Sequence, residues 1–254
     1  MAIGAQLIAF DLDDTLAPSK APLPDPVAAV LARLLERVAV AVVSGGQIGQ
    51  FRTQVIGRLT AATPEGLSRL HLMPVTGTQY WRFDDGDWVL RYEDGLSEDE
   101  KSAALAALEH TAREFGYWEA ETWGPILEDR GSQITFSALG QQAPVAAKKA
   151  WDPTGEKKNR LAAAVQLLLP GLSVRSGGST SIDITRAGVD KGYALERLAG
   201  VSGISIADMI FVGDRLDPAG NDYPVVRTGV RTQAVTGWPE TVEYLEGLLA
   251  DDID

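Results

Sequence analysis

The stretch Ile8–Lys20, IAFDLDDTLAPSK, decides the fold. Leu7 to Asp11 is a hydrophobic run that reads as a buried strand, and Asp11, Asp13 and Asp14 then crowd its end. Like charges repel, and each carboxylate costs free energy to desolvate. A core strand that ends on such a cluster points to a site. In open α/β sheets, ligands sit at the carboxyl ends of strands.

Working outward, Pro24 to Arg37 has apolar residues at helical spacing, and Val38 to Val43 is a β-branched run ending at Ser44-Gly45-Gly46. A helix is expected from Gln47 to Leu59 and a strand from Leu70 to Val75. Strands alternating with helices indicate βαβ units and a parallel sheet. The pattern then changes. Thr78 to Phe83 and Trp88 to Tyr92 read as an antiparallel hairpin around Asp84-Asp85-Gly86-Asp87. Ser97 and Glu100 form a capping box for a helix that Gly116 ends. Ile134 to Leu139 is expected as a strand, Asp152-Pro153 to cap a helix reaching Leu169, and Ser173–Arg175 and Ser181–Thr185 to pair. The parallel pattern returns with a helix from Lys191, a strand over Met209 to Val212 and a closing helix from Trp238 to Ala250. The expected architecture is α/β: a Rossmann-like parallel-sheet core over 1–84 and 188–254, with an α+β insertion over 85–187.

The bulk composition narrows the function. The 254 residues suit one large or two modest domains. The net charge of −12 argues against nucleic acid and anionic membrane as partners. An anionic substrate then needs a local positive site or a metal. The absence of cysteine excludes disulfides, thiolate catalysis and cysteine-ligated zinc, and two histidines make a histidine-rich metal site improbable. No apolar run spans a bilayer, and the opening residues lack a basic region and a small-residue cleavage site, which suggests a cytoplasmic protein.

Four polar clusters fall at or beside expected strand ends: Asp11-Leu12-Asp13-Asp14-Thr15, Ser44-Gly45, Lys191, and Gly213-Asp214 with Asn221-Asp222. Each alone is an ordinary turn or surface feature, but their joint order is specific. That order resembles the haloacid dehalogenase superfamily of phosphoryl-transfer enzymes, and the insertion lies where that superfamily carries its type II cap. The resemblance implies Mg²⁺, a hard cation that prefers oxygen ligands. It implies Asp11 as the nucleophile that becomes an aspartyl-phosphate. Asp13 is then the acid and base, its main-chain carbonyl also a metal ligand. Asp214 is a further metal ligand, and Asn221 or Asp222 completes the shell directly or through water. Thr15 belongs to the first motif. Ser44 and Lys191 hold phosphoryl oxygens, with Gly45 beside them at the substrate. Asp14 is expected to serve the turn.

The insertion resembles the caps of eukaryotic-type phosphomannomutases and their type IIB sugar-phosphatase relatives. The matching segments are DRGSQITFSALGQ (Asp129–Gln141), GGSTSIDITRAGVDKGYAL (Gly177–Leu195) and GDRLDPAGND (Gly213–Asp222). By that resemblance Arg130 matches the first of three phosphate-gripping arginines, Gln141 stands at the second and Lys148 at the third. Ser181 and Asp183 match contacts to sugar hydroxyls. Gln supplies no charge and Lys lacks the bidentate fork, so the clamp is weakened. The expected function is a Mg²⁺-dependent phosphatase of a small phosphorylated sugar, with a phosphohexomutase as the alternative. A non-catalytic domain on this fold is disfavoured, because Asp11, Asp13, Ser44, Lys191 and Asp214 are all present. A homodimer through the cap is a further implication. The aromatics and both histidines are read as packing residues.

Overall fold

Leu7–Asp11 forms β1, buried at all five positions. In this computed structural model, which describes residues 4–250, β1 lies between two parallel neighbours, β2 (Ala39–Val43) and β10 (Met209–Gly213). Parallel β3 (Leu70–Met73) follows β2, and β11 (Arg231–Ala234) flanks β10. Ile8 and Phe10 pack into one apolar cluster with Leu31, Leu34 and Leu245. Leu7 and Ala9 pack into another with Leu195, Leu198 and Phe211. Burial on both faces is what a parallel sheet with crossover helices requires, and it explains an unbroken hydrophobic run instead of an alternating one.

The sheet has seven strands, ordered β11-β10-β1-β2-β3-β4-β5. The last two are the hairpin: β4 (Gln79–Asp84) pairs antiparallel with β3, and β5 (Asp87–Glu93) with β4. Asp85 and Gly86, at φ of 48° and 89°, form the two-residue loop. Positive φ at both central positions suits the right-handed twist of the strands. The hairpin therefore extends the core sheet, and Trp88 packs into the cluster with Ile8 and Phe10. The boundary expected after residue 84 would cut this hairpin. The two units are instead Met1–Glu93 with Val189–Asp254, and Asp94–Gly188. Alternation of aromatic and polar residues reads alike at a sheet edge and at the start of an insertion, so pattern alone does not assign the hairpin.

The second unit is built on a four-stranded antiparallel sheet. Its order is β6 (Leu127–Asp129), β7 (Gln133–Ser137), β9 (Ser181–Arg186), β8 (Leu172–Ser176). Ile134, Phe136, Ile182 and Ile184 form one apolar cluster with Leu108 and Leu161, from helices Glu98–Glu114 and Glu156–Leu168. The capping box at Ser97 and Glu100 is present. Asp152 accepts from the backbone N–H groups of Lys157 and Lys158, at 3.2 and 3.1 Å. Gly155, at φ 77°, is the residue at the helix start. A helix over Val145–Trp151 and strands β6 and β11 were not apparent as patterns. β11 is an edge strand of largely exposed Arg231, Thr232, Gln233 and Ala234, without an apolar run to signal it. No helix among the described residues is long and apolar enough to cross a membrane.

Candidate active site

The chain leaves β1 toward β2 on one side, while β10 flanks β1 on the other. A crevice at the carboxyl end of the sheet opens where strand order reverses in this way. Asp11 is the last residue of β1, and Asp214 directly follows β10. The helix Lys191–Ser202 delivers Lys191 at its first position, capped by Asp190, whose side chain accepts from Tyr193 N–H. Arg227 donates to both Asp190 oxygens at 2.6 and 2.7 Å, which fixes that cap.

Lys191 Nζ lies 2.5 Å from Asp11 Oδ1 and 2.5 Å from Asp222 Oδ1. All three side chains are almost wholly buried. Asp222 Oδ2 accepts from the Arg215 N–H at 3.0 Å. Thr15 Oγ1 lies 3.3 Å from Asp214 Oδ1 and 3.5 Å from Asp11 Oδ2, and the Thr15 carbonyl accepts from Thr241 Oγ1. Asn221 is exposed, so it is Asp222 that the fourth segment brings into the cluster. Gly213 allows this, because a Cβ there would meet Asp222 Oδ2 at 2.5 Å.

Asp11 and Asp222 share one ammonium, with Asp214 beside them, and the electrostatics follow. Burial, helped by the Asp222 carboxylate and opposed by Lys191, pushes the Asp11 carboxyl up to about 7. Burial also works against the Lys191 charge, but Asp11 and Asp222 hold that ammonium above its ordinary value. Asp214 is raised by burial and by Asp222. A buried, net-anionic cluster of hard oxygens is the environment that accepts a divalent cation.

The donor set fits such an ion. Asp11, Asp214 and Asp222 bring one carboxylate oxygen each within 4.8 Å of one another. Both oxygens of Asp222 are engaged, at 2.5 and 3.0 Å, whereas Asp11 Oδ2 has only the long 3.5 Å contact with Thr15, so Asp11 and Asp214 are the carboxylates best able to hold the ion.

The other expected core residues lie around this cluster. Asp13 is half-buried, accepting from Lys20 N–H at 2.6 Å and Gln50 Nε2 at 3.3 Å. Gln50 was not anticipated; nothing marks a glutamine one helical turn past Gly46 as a partner of Asp13. Asp14 serves the turn, with φ 65° and Oδ1 accepting from Ser19 N–H. Ser44 is buried directly after β2, and its Oγ accepts from Gly46 N–H at 3.2 Å; Gly45 beside it is exposed.

A strained turn supports that loop. Val75 and Thr76 stand at φ 48° and 56°, a region that β-branched residues strongly disfavour. Their N–H groups donate to the Gly46 and Ser44 carbonyls at 2.9 Å each. The strand expected to Val75 therefore stops at Met73.

The expected cap residues lie within the second unit. Arg130 is paired with Glu128, its Nε and Nη2 both donating to Oε2 at 3.0 and 2.6 Å. Lys148 Nζ donates to the Gln141 carbonyl at 2.9 Å. Gln141 Nε2 is buried without a hydrogen-bond partner among the described residues. Asp183 Oδ1 accepts from Gln133 Nε2 and Thr135 Oγ1 at 2.8 and 2.7 Å, with Ser181 two residues before it on β9.

Comparison with known proteins agrees with this arrangement. Residues 143–226 match a model of haloacid dehalogenase-like hydrolases. The phosphomannomutase of Saccharomyces cerevisiae is 24% identical over 229 residues, covering 86% of this chain and 84% of its own. The IMP-nucleotidase of Plasmodium falciparum superposes with a TM-score of 0.75 at 15% identity, over 99% of this chain and 70% of that one. A haloacid dehalogenase-like hydrolase from Bacteroides thetaiotaomicron gives 0.66 at 16% identity, over 96% and 99%. With its core sheet, inserted four-stranded unit and acidic cluster, the chain is a haloacid dehalogenase-like enzyme of phosphoryl transfer.

Proposed function

We propose that this haloacid dehalogenase-like enzyme is a Mg²⁺-dependent phosphatase of small phosphorylated sugars or polyols. A carboxylate oxygen of Asp11 attacks phosphorus, the ester P–O bond breaks, and Asp13 protonates the departing alkoxide. Water then attacks the aspartyl-phosphate. Asp13 takes its proton, the bond from phosphorus to Asp11 breaks, and inorganic phosphate leaves. Lys191 and Ser44 hold phosphoryl oxygens, and the Lys191 charge offsets the anion that accumulates beside Asp11. Mg²⁺, held by Asp11, Asp214 and by family resemblance the Asp13 carbonyl, supplies further positive charge to the phosphoryl group when bound.

The observation that carries the chemistry is the placement of Lys191 between Asp11 and Asp222 in a buried acidic cluster. The choice of hydrolysis over mutase chemistry rests on the second unit. A mutase must grip a bisphosphorylated intermediate. Here Arg130 is engaged by Glu128, Lys148 by a main-chain carbonyl, and position 141 is neutral. Arg130, Ser181 and Asp183 are what favour the mutase reading, together with the 24% identity to a phosphomannomutase.

Hexose 1- and 6-phosphates incubated with Mg²⁺, with and without a hexose bisphosphate, separate the two. Release of inorganic phosphate supports the proposal. Interconversion of the two isomers without phosphate release would overturn it in favour of the mutase.

A further inference from the structure

Within the core unit, two elements that bring residues to the acidic cluster pack against each other. Lys191 opens the helix Lys191–Ser202, and Asp222 directly precedes a 3₁₀ helix over Tyr223–Thr228. One link between them is the buried pair of Lys191 with Asp222. A second link lies outside the cluster. Arg227, toward the far end of the 3₁₀ helix, donates to both oxygens of Asp190, the residue before Lys191, at 2.6 and 2.7 Å.

Each end of the 3₁₀ helix is thus tied to a different residue at the start of the longer helix. A single tie is a pivot, whereas two set an orientation as well as a distance. Gly192 permits the close approach that both ties need. A Cβ placed there would stand 2.6 Å from the Pro224 carbonyl oxygen and 2.9 Å from Arg227 Nη2. Asp190 is nearly buried, so its carboxylate requires a partner. Its Oδ1 also caps the helix by accepting from Tyr193 N–H at 3.0 Å. A guanidinium fork that takes both carboxylate oxygens fixes the plane of the carboxylate. It thereby fixes the first helical turn, from which the Lys191 side chain departs.

We infer that Arg227 is a positioning residue for phosphoryl transfer: acting through Asp190, it sets where the Lys191 ammonium stands against Asp11. The inference rests on the reading of Lys191 as a group that holds phosphoryl oxygens, and deepens it. The Arg227 side chain is half-exposed, whereas Lys191 is buried among the carboxylates. An ammonium on a flexible four-carbon stem is a point charge with no orientation of its own. Its aim comes from the backbone that carries it. Donors stabilise a transferring phosphoryl group in proportion to how well they are placed beforehand.

The test is calorimetric titration of the full chain with orthovanadate, a mimic of the phosphoryl group under attack, at saturating Mg²⁺. Stoichiometry counts folded sites and Kd reports the hold of each one, so a variant that merely folds poorly lowers the first and leaves the second. Arg227→Gln is expected to raise Kd by about tenfold, the order of one hydrogen bond to a charged group. Arg227→Lys recovers part of the loss, because charge remains while the fork is gone. Asp190→Asn is the sharper variant. It keeps an acceptor for Tyr193 N–H and loses the ion pair. By charge alone, removing a carboxylate near an anion site tightens anion binding; the inference expects the opposite, a Kd raised by about the same tenfold factor. Should Arg227→Gln not fold, Asp190→Asn and Arg227→Lys decide by the same Kd. Lys191→Met separates this inference from the reading beneath it. Binding weakened in Lys191→Met, with a wild-type or lower Kd in Asp190→Asn or Arg227→Gln, overturns the role of Arg227 alone. A wild-type Kd in Lys191→Met, or no binding to the wild type, overturns the reading of Lys191 and the inference with it.

Discussion

Lys191 Nζ rests 2.5 Å from Asp11 Oδ1, joining residues 180 positions apart. The same ammonium reaches Asp222, so one positive charge holds two buried carboxylates together. Removing one partner of a buried ion pair leaves the other uncompensated.

Lys191→Met is therefore expected to destabilise the chain by about 3–5 kcal/mol in chelator. It is also expected to abolish phosphate release. Urea unfolding in EDTA measures the first, and the second is read at saturating Mg²⁺. A midpoint equal to that of the wild type would remove Lys191 from its bridging position.

Gln50 donates to Asp13 at 3.3 Å and Lys20 N–H at 2.6 Å, so two groups fix the orientation of the proposed acid and base. Gln50→Ala loosens Asp13 without touching the ester. The expected result is a kcat lower by about tenfold, the small end of a general acid–base contribution, with KM little changed. A rise in KM alone would place Gln50 at substrate binding instead.

Thr76 is half-buried at φ 56°. Asparagine tolerates the left-handed region far better than a β-branched residue. Thr76→Asn is expected to raise stability by about 1 kcal/mol, read as a higher urea midpoint at unchanged slope. A lower midpoint would mean that the threonine side chain contributes more than the turn costs.

His71 is buried, with Nδ1 2.8 Å from the Tyr80 hydroxyl. Burial first, and the Arg82 guanidinium second, hold its pKa down to about 3, against an ordinary value of 6.5. As pH falls below 6.5 the unfolded chain binds a proton that the folded chain refuses. Stability is thus fully present above 6.5 and is lost progressively as pH drops toward 3. One such proton contributes a slope of up to about 1.4 kcal/mol per pH unit. His71→Gln should flatten the stability profile between about pH 6 and pH 4. An unchanged slope would assign the acid sensitivity to other groups.

Much of this was legible in the chain because the signals were local. The β1 run, the Ser97–Glu100 box and the closing helix from Trp238 to Ala250 fall where pattern and capping chemistry put them. The convergence of Asp11, Lys191, Asp214 and Asp222 was readable from strand ends and motif order, since a parallel sheet collects the carboxyl ends of its strands on one edge. What escaped depends on tertiary partners. Nothing near Tyr80 or Trp88 says which sheet the hairpin joins. The strain at Val75 and Thr76 has no marker beyond Gly77, whose φ is 81°. The neutralising of Arg130 by Glu128 needs the β6 backbone, a three-residue strand too short for period-two reading.

Asp11 is the proposed acceptor of the phosphoryl group, and that role can be read chemically. Acid-quenching the enzyme during turnover of a phosphorylated sugar, then mapping the peptides by mass spectrometry, tests it directly. The expected result is a hydroxylamine-sensitive phosphoryl group on the peptide containing Asp11, absent from Asp11→Asn, which also releases no phosphate. Phosphate release retained by Asp11→Asn, or a phosphoryl group found on another residue, would contradict it.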